Sequence, residues 1–159
     1  MRQMRSWKSY KKEKGFTIVE LLIVIVVIGI LATLVIVTFS GIQQRARDTQ
    51  RQTDINAIQG HLEAYYASTG TYPTLAMLLD SGFRAKYMKG LDPEALNAPD
   101  GTAIAATLPT NGYSYVATAG GAACPAATGT TPDLVSTCDA YTLTADLENS
   151  TTNYTKQSN

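Results

Sequence analysis

Glu20 is the residue whose position in this chain most suggests chemistry. It is a carboxylate between Ile18-Val19 and Leu21-Leu22, at the head of a long apolar run. From Leu21 to Gln44 no side chain is charged, and only Gly29 and Thr33 interrupt the apolar stretch Leu21 to Val37. At about 1.5 Å per residue, roughly 20 such residues span a bilayer core. An ionised group costs roughly 2.5–3.5 kcal/mol at mid-membrane, less near an end, and marks function by default. The chemistry on offer is charge pairing. Cleavage between Gly15 and Phe16 would create an α-amine four residues before Glu20. That amine has a reference pKa of about 8 and is mostly cationic at neutral pH. In one helix the amine and Glu20 would share a face; in a packed assembly the amine of one chain could meet Glu20 of its neighbour. Taking two opposite charges out of water together costs far less than taking out one, so such a pair would set the axial register of packed helices. The plain alternative is a carboxylate that snorkels to the membrane surface.

Other chemistry is scarce. The chain offers no nucleophile-and-base constellation, phosphate loop or metal cluster, so no catalytic residue, cofactor or metal ligand is assigned and an enzyme is not expected. His61 stands alone and reads as an ordinary helix residue. The carboxylates between residues 90 and 112 are few, irregularly spaced and do not match a helix-loop calcium pattern. Cys124 and Cys138 are the only cysteines, and without accompanying histidines they make no zinc site. In an exported domain they read as a disulfide, whose loop of about 15 residues would add roughly 3 kcal/mol.

Charge is uneven along the 159 residues. Residues 1–15 carry Arg2, Arg5, Lys8, Lys11, Lys12 and Lys14 against Glu13, whereas the remainder holds seven basic and twelve acidic residues. A cationic flank before an apolar run keeps the N-terminus in the cytoplasm and sends the rest across. An acidic remainder exerts no general pull on nucleic acid, which is not expected as a main partner. The run is too long for a secretory signal peptide, and the suggested cut precedes it, so the anchor would stay in the mature chain.

The string Lys14-Gly15-Phe16-Thr17-Ile18-Val19-Glu20-Leu21-Leu22 resembles the processing site of type IV prepilins and the related pseudopilins. Basic leader, Gly-Phe junction, placed Glu and apolar run coincide, and the resemblance extends over about residues 11–73. It implies that a membrane-embedded prepilin peptidase cuts after Gly15, that Phe16 becomes the methylated N-terminus, and that Glu20 pairs with a neighbouring subunit's terminus during assembly. It further implies a precursor in the cytoplasmic membrane, a homo-oligomeric helical filament built by an assembly platform and its ATPase, and an extracellular location once assembled. The expected function is a structural subunit of a type IV pilus, serving adhesion, twitching motility or DNA uptake. The alternatives are a pseudopilin of a type II secretion system and a minor pilin. Some pseudopilins carry a calcium site; this chain's loop does not favour one.

The expected fold class is α+β: a long N-terminal helix, its apolar half protruding, packed on a small antiparallel sheet. Three segments follow. Residues 1–15 are a cleaved leader holding Trp7, the only tryptophan; residues 16–41 are the membrane or filament-core half of the helix; residues 42–159 are an exported domain stapled by Cys124 and Cys138. The helix is expected from Phe16 to about Ala67, with Thr38, Ser40 and Gly41 a weak point. Ile55, Ile58, Leu62, Tyr65 and Tyr66 form a stripe to bury against the sheet. Arg45, Arg47, Asp48, Arg51, Asp54 and Glu63 point elsewhere, toward solvent or a neighbouring subunit. Gly70 and Pro73 end the helix. A short helix over Thr74 to Asp80, a break at Ser81-Gly82, and a further turn over Phe83 to Lys89 follow. Arg84, Lys86 and Lys89 form a small basic surface. Alternation predicts strands at Tyr113–Val116 and Tyr141–Leu147 and a short edge strand over Asn153–Lys156, with Ala117 to Gly129 as loop.

Overall fold

The computed structural model describes residues 15–131 and 133–158. The leader expectations, Trp7 included, lie outside the described residues. The chain divides into two compact units, Met1–Ser40 and Gly41–Asn159. Helix α1, Ile18–Thr69, is one uninterrupted α-helix of 52 residues. The expected weak point at Ser40 and Gly41 is fully helical, since no proline removes a backbone donor there.

In the first unit the helix is apolar on every side. Ile18, Leu22, Ile25, Ile28, Leu31 and Ile36 are all exposed in the single chain. Length and composition suffice to cross a membrane. A helix with no polar face has no partner-free state in water and must be covered by lipid or by other helices.

The second unit builds its core on the later half of α1. Ile55, Ile58, Leu62 and Tyr65 are buried at spacings of a single helical face. Tyr66 departs from the expected stripe: it stays 40% exposed and stacks on Tyr72, ring centroids 4.5 Å apart. Being next to Tyr65, it lies about 100° further round the helix. Gly70 ends the helix at φ +75°, its N–H bonding Tyr66 O at 2.7 Å.

Two short helices follow. Thr74 caps α2, Leu75–Leu79, by accepting from the Met77 N–H. Asp80 caps α3, Ser81–Tyr87, accepting from Phe83 N–H at 2.7 Å. The expected break at Ser81-Gly82 is therefore the first turn of α3, because the Asp80 side chain supplies the acceptor that a helix start lacks. A 3-10 turn covers Pro93–Leu96.

The sheet is antiparallel in the order β2-β1-β3-β4, with β1 at Tyr113–Ala119, β2 at Ala122–Ala123, β3 at Ala140–Ala145 and β4 at Tyr154–Gln157. Strand β2 corrects the expectation of plain loop after Ala117. Gly120 and Gly121, both at positive φ, turn the chain back so that Ala122 pairs with Ala119. Leu147, expected in β3, lies beyond its end. Tyr113, Tyr115, Tyr141 and Leu143 pack with the α1 stripe in one core with Met77, Leu78 and Phe83.

Cys124 and Cys138 are joined in a disulfide, Cα atoms 5.6 Å apart. The bridge ties the segment after β2 to Cys138, whose carbonyl O accepts from the Tyr72 N–H at 2.9 Å, so it also braces the exit from α1. Reduction, or replacement of both cysteines by alanine, is expected to lower stability by about 3 kcal/mol. For a unit of this size that is a fall in Tm of roughly 10 °C. Thermal melts with and without reductant measure it; an unchanged Tm would mean the bridge is mechanically idle.

Candidate processing and assembly site

The Gly15-Phe16 junction lies in non-helical backbone ahead of α1, and both residues are exposed. A Cβ at Gly15 would meet nothing within 4 Å, so the fold itself makes no demand for glycine there. Any such demand comes from whatever else reads the junction.

Thr17 and Glu20 form a reciprocal cap. Glu20 N–H donates to Thr17 Oγ1 at 3.2 Å, and Glu20 Oε2 accepts from Thr17 N–H at 3.1 Å and from the Thr17 hydroxyl at 3.0 Å. Leu21 N–H bonds Thr17 O at 3.2 Å, the first bond of the helix. This is a capping box, whose sequence sign is a Thr with a Glu three residues on. Charge reasoning on Glu20 alone missed it. The carboxylate also sits at the positive end of the helix dipole. In the single chain Glu20 therefore has a local role and an exposed position, and its reach to a neighbour is a matter of assembly.

The polar face of α1 is arranged otherwise than spacing suggests. Arg51, expected to point toward solvent or a neighbouring subunit, is fully buried, pairing with Asp48 at 2.8 Å and with Glu148 at 2.8 Å. Arg47 grips the same Glu148 through Nε at 2.7 Å and Nη2 at 2.5 Å. Asp48, itself buried, accepts from the N–H groups of Glu148 and Asn149 at 2.9 and 3.0 Å. Asp54 accepts from the Tyr113 hydroxyl at 2.8 Å, and Glu63 accepts from the hydroxyls of Tyr72 at 3.0 Å and Tyr141 at 2.8 Å. Burial first, then the Glu63 carboxylate, pushes the Tyr72 hydroxyl up to about 12. In the single chain these five residues are engaged within the domain rather than left to solvent, with partners that range from three to about a hundred residues away. Arg45 stays exposed, and among the described residues its guanidinium has no partner.

The basic surface is partly spent as well. Arg84 donates to Leu78 O at 2.7 Å and Lys86 pairs with Asp133, leaving Lys89 exposed.

Glu148 is held at about 2, by the Arg47 hydrogen bond first and by Arg51 also, against a cost of burial. A carboxylate depressed on folding stabilises above its unfolded pKa and loses that contribution as pH falls toward the folded value. Stability should therefore decline between about pH 4.5 and pH 2, and Glu148→Gln should flatten that decline at the cost of lower stability at neutral pH. Acid titration followed by circular dichroism checks it, and parallel acid curves for the two proteins would remove Glu148 from the account.

Comparison with known proteins accords with this geometry. The family described as the prokaryotic N-terminal methylation motif matches residues 10–36, which include Gly15, Phe16 and Glu20. The type II secretion system core protein G of Vibrio cholerae serotype O1 is 32% identical over 143 residues, covering 87% of this chain and 85% of that protein. The protein of the same name from Escherichia coli K12 is 37% identical over 70 residues, 44% of this chain and 48% of its own. The type IV major pilin protein PilA of Myxococcus xanthus is 29% identical over 114 residues, 67% of this chain and 51% of that one. No solved structure matches. A methylation-type N-terminus, a long helix packed on a four-stranded antiparallel sheet and a relative matched over most of both lengths lead to one conclusion: the chain belongs to the pilin and pseudopilin superfamily.

Proposed function

We propose that the chain is a filament subunit of the type II secretion kind, a pseudopilin. The observation that carries this reading is the match to the Vibrio cholerae core protein G over 85% of that protein's length. Residues 1–15 serve as a cytoplasmic leader, residues 16–41 as the membrane anchor and later the filament core, and residues 42–159 as the exported domain. A prepilin peptidase cuts after Gly15, Phe16 is N-methylated, and an assembly platform with its ATPase draws copies into a helical filament. The driving force is exchange of lipid for other helices around the all-apolar first half of α1, with Glu20 meeting the cationic terminus of a neighbour.

A surface type IV pilin is the second reading. It is favoured by the match to PilA over 67% of this chain and by the disulfide-braced loop between Cys124 and Cys138. Adhesion, twitching and DNA uptake belong to that reading only.

Fibres sheared from producing cells, with intact and N-terminal peptide masses, separate the two. The pseudopilin reading expects a chain starting at methylated Phe16, lacking Trp7, and held in the membrane fraction. The same chain as the bulk of sheared fibres would establish the pilin instead. An uncut chain still carrying Trp7 would overturn both.

A further inference from the structure

We infer that Arg47 and Arg51 act as a tethered cation that fastens the chain after β3 onto α1, so that folding and assembly of this protein need no divalent metal. The inference stands on the exported domain alone and holds whichever filament the chain builds. Because some pseudopilins hold calcium, the carboxylates here have to be tested for that fit, and they fail it.

Calcium takes six to eight oxygens at about 2.3–2.6 Å. The carboxylates gathered at the segment after β3 are Asp48, Asp146 and Glu148, and their oxygens already face N–H donors. Asp48 Oδ1 accepts from Arg51 Nη1 and from Glu148 N–H, and Oδ2 from Asn149 N–H. Glu148 Oε1 accepts from Arg47 Nε and Arg51 Nη2, and Oε2 from Arg47 Nη2. Asp146 Oδ2 accepts from Asn111 N–H at 2.8 Å. Among the described residues no group of three or more His, Cys, Asp or Glu side chains is placed to hold a metal. A divalent ion entering here would have to displace a guanidinium that is fully buried and would meet a second one beside it. The planar fork of Arg is suited to this duty, since it binds two carboxylate oxygens at once and never loses its proton.

The clamp reaches a second segment. Arg51 Nε donates to Asn111 O at 3.0 Å, and Asp146 N–H bonds Gly112 O at 3.0 Å. Asn111 sits at φ 55°, and a Cβ on Gly112 would come within 2.6 Å of Pro109. The turn before β1 and the segment after β3 are thus lashed to the same two turns of α1 by fixed charges of the chain itself.

The test uses full-length protein in detergent. Thermal melts are run with EDTA and with millimolar CaCl2, and terbium is titrated while its luminescence, excited through tyrosine, is followed. The expected result is a Tm equal within about 1 °C in the two conditions and no saturable terbium site. A calcium-dependent rise of several degrees, or a stoichiometric terbium signal, would overturn the inference. Hydrogen exchange of the peptide covering residues 146–152 is then compared between wild type and Arg47→Ala, a half-exposed change that keeps the buried Arg51. The expected result is at least tenfold faster exchange there, with EDTA and CaCl2 still indistinguishable. Unchanged exchange in that peptide would show that the guanidinium does not hold the segment.

Discussion

Glu20→Leu is expected to insert normally into the membrane and to yield no filament. The apolar run from Leu21 to Val37 is untouched, and removing a carboxylate from its head makes insertion easier. Assembly fails for the opposite reason. A processed chain carries an ammonium at Phe16, and packing helices together without Glu20 leaves that cation unpaired in an apolar surrounding. Breaking such a pair costs about 3–5 kcal/mol, which is roughly two to three and a half orders of magnitude in the association constant of each added subunit. The substitution also removes the cap with Thr17, worth about 1 kcal/mol of helix start. Glu20→Gln separates the two effects, because glutamine completes a capping box as well as glutamate does but carries no charge. If charge is the working property, both variants are blocked in assembly while both appear, correctly oriented, in the membrane fraction. Filaments from Glu20→Gln at wild-type yield would assign the residue to the cap with Thr17 instead.

The second large effect is expected at Arg51. Its side chain is fully buried and holds Asp48, Glu148 and Asn111 O together. Arg51→Ala leaves two carboxylates facing each other across a space closed to most water. The expected loss is about 3–5 kcal/mol, a large part of the whole stability of a domain this size. Arg51→Met keeps much of the volume but not the charge and should be nearly as damaging, since the penalty lies in the abandoned carboxylates rather than in the cavity. Pairing Arg51→Met with Asp48→Asn and Glu148→Gln removes those charges and should recover part of the loss. Urea unfolding of the four proteins measures each step. Equal midpoints for wild type and Arg51→Met would mean the carboxylates find other partners.

Local pattern carried most of the fold. The α1 stripe of Ile55, Ile58, Leu62 and Tyr65, the stop at Gly70 and the alternation in β1 and β3 are all readable within a window of a dozen residues, and all are present. Capping was legible but passed over: Thr17 before Glu20 and Asp80 before Ser81 announce helix starts. What sequence could not reveal is long-range pairing. Arg51 reads as a surface residue because its pairing with Asp48, three residues back, reads as an ordinary exposed helix pair, while its other partners, Asn111 O and Glu148, lie 60 and 97 residues on. Tyr113 in β1 and Tyr141 in β3 likewise find Asp54 and Glu63 only after the sheet has formed. Charges on an amphipathic helix advertise solvent, and only tertiary contact reveals which of them are kept inside. The disulfide of Cys124 and Cys138, the only two cysteines, admitted one pairing.

The sheet has blunt borders. Strand β2 has two residues and strand β4 four, so neither border offers a long row of free backbone donors and acceptors. On β4 the Lys156 ammonium lies over the Tyr154 ring, 5.4 Å from its centre, setting a charge at the border. Short, charged borders are how natural sheets resist edge-to-edge growth into amyloid-like ribbons. If the chain polymerises through its helix, as proposed, these borders protect it from polymerising through its sheet, and aggregation in the wrong direction is denied a template.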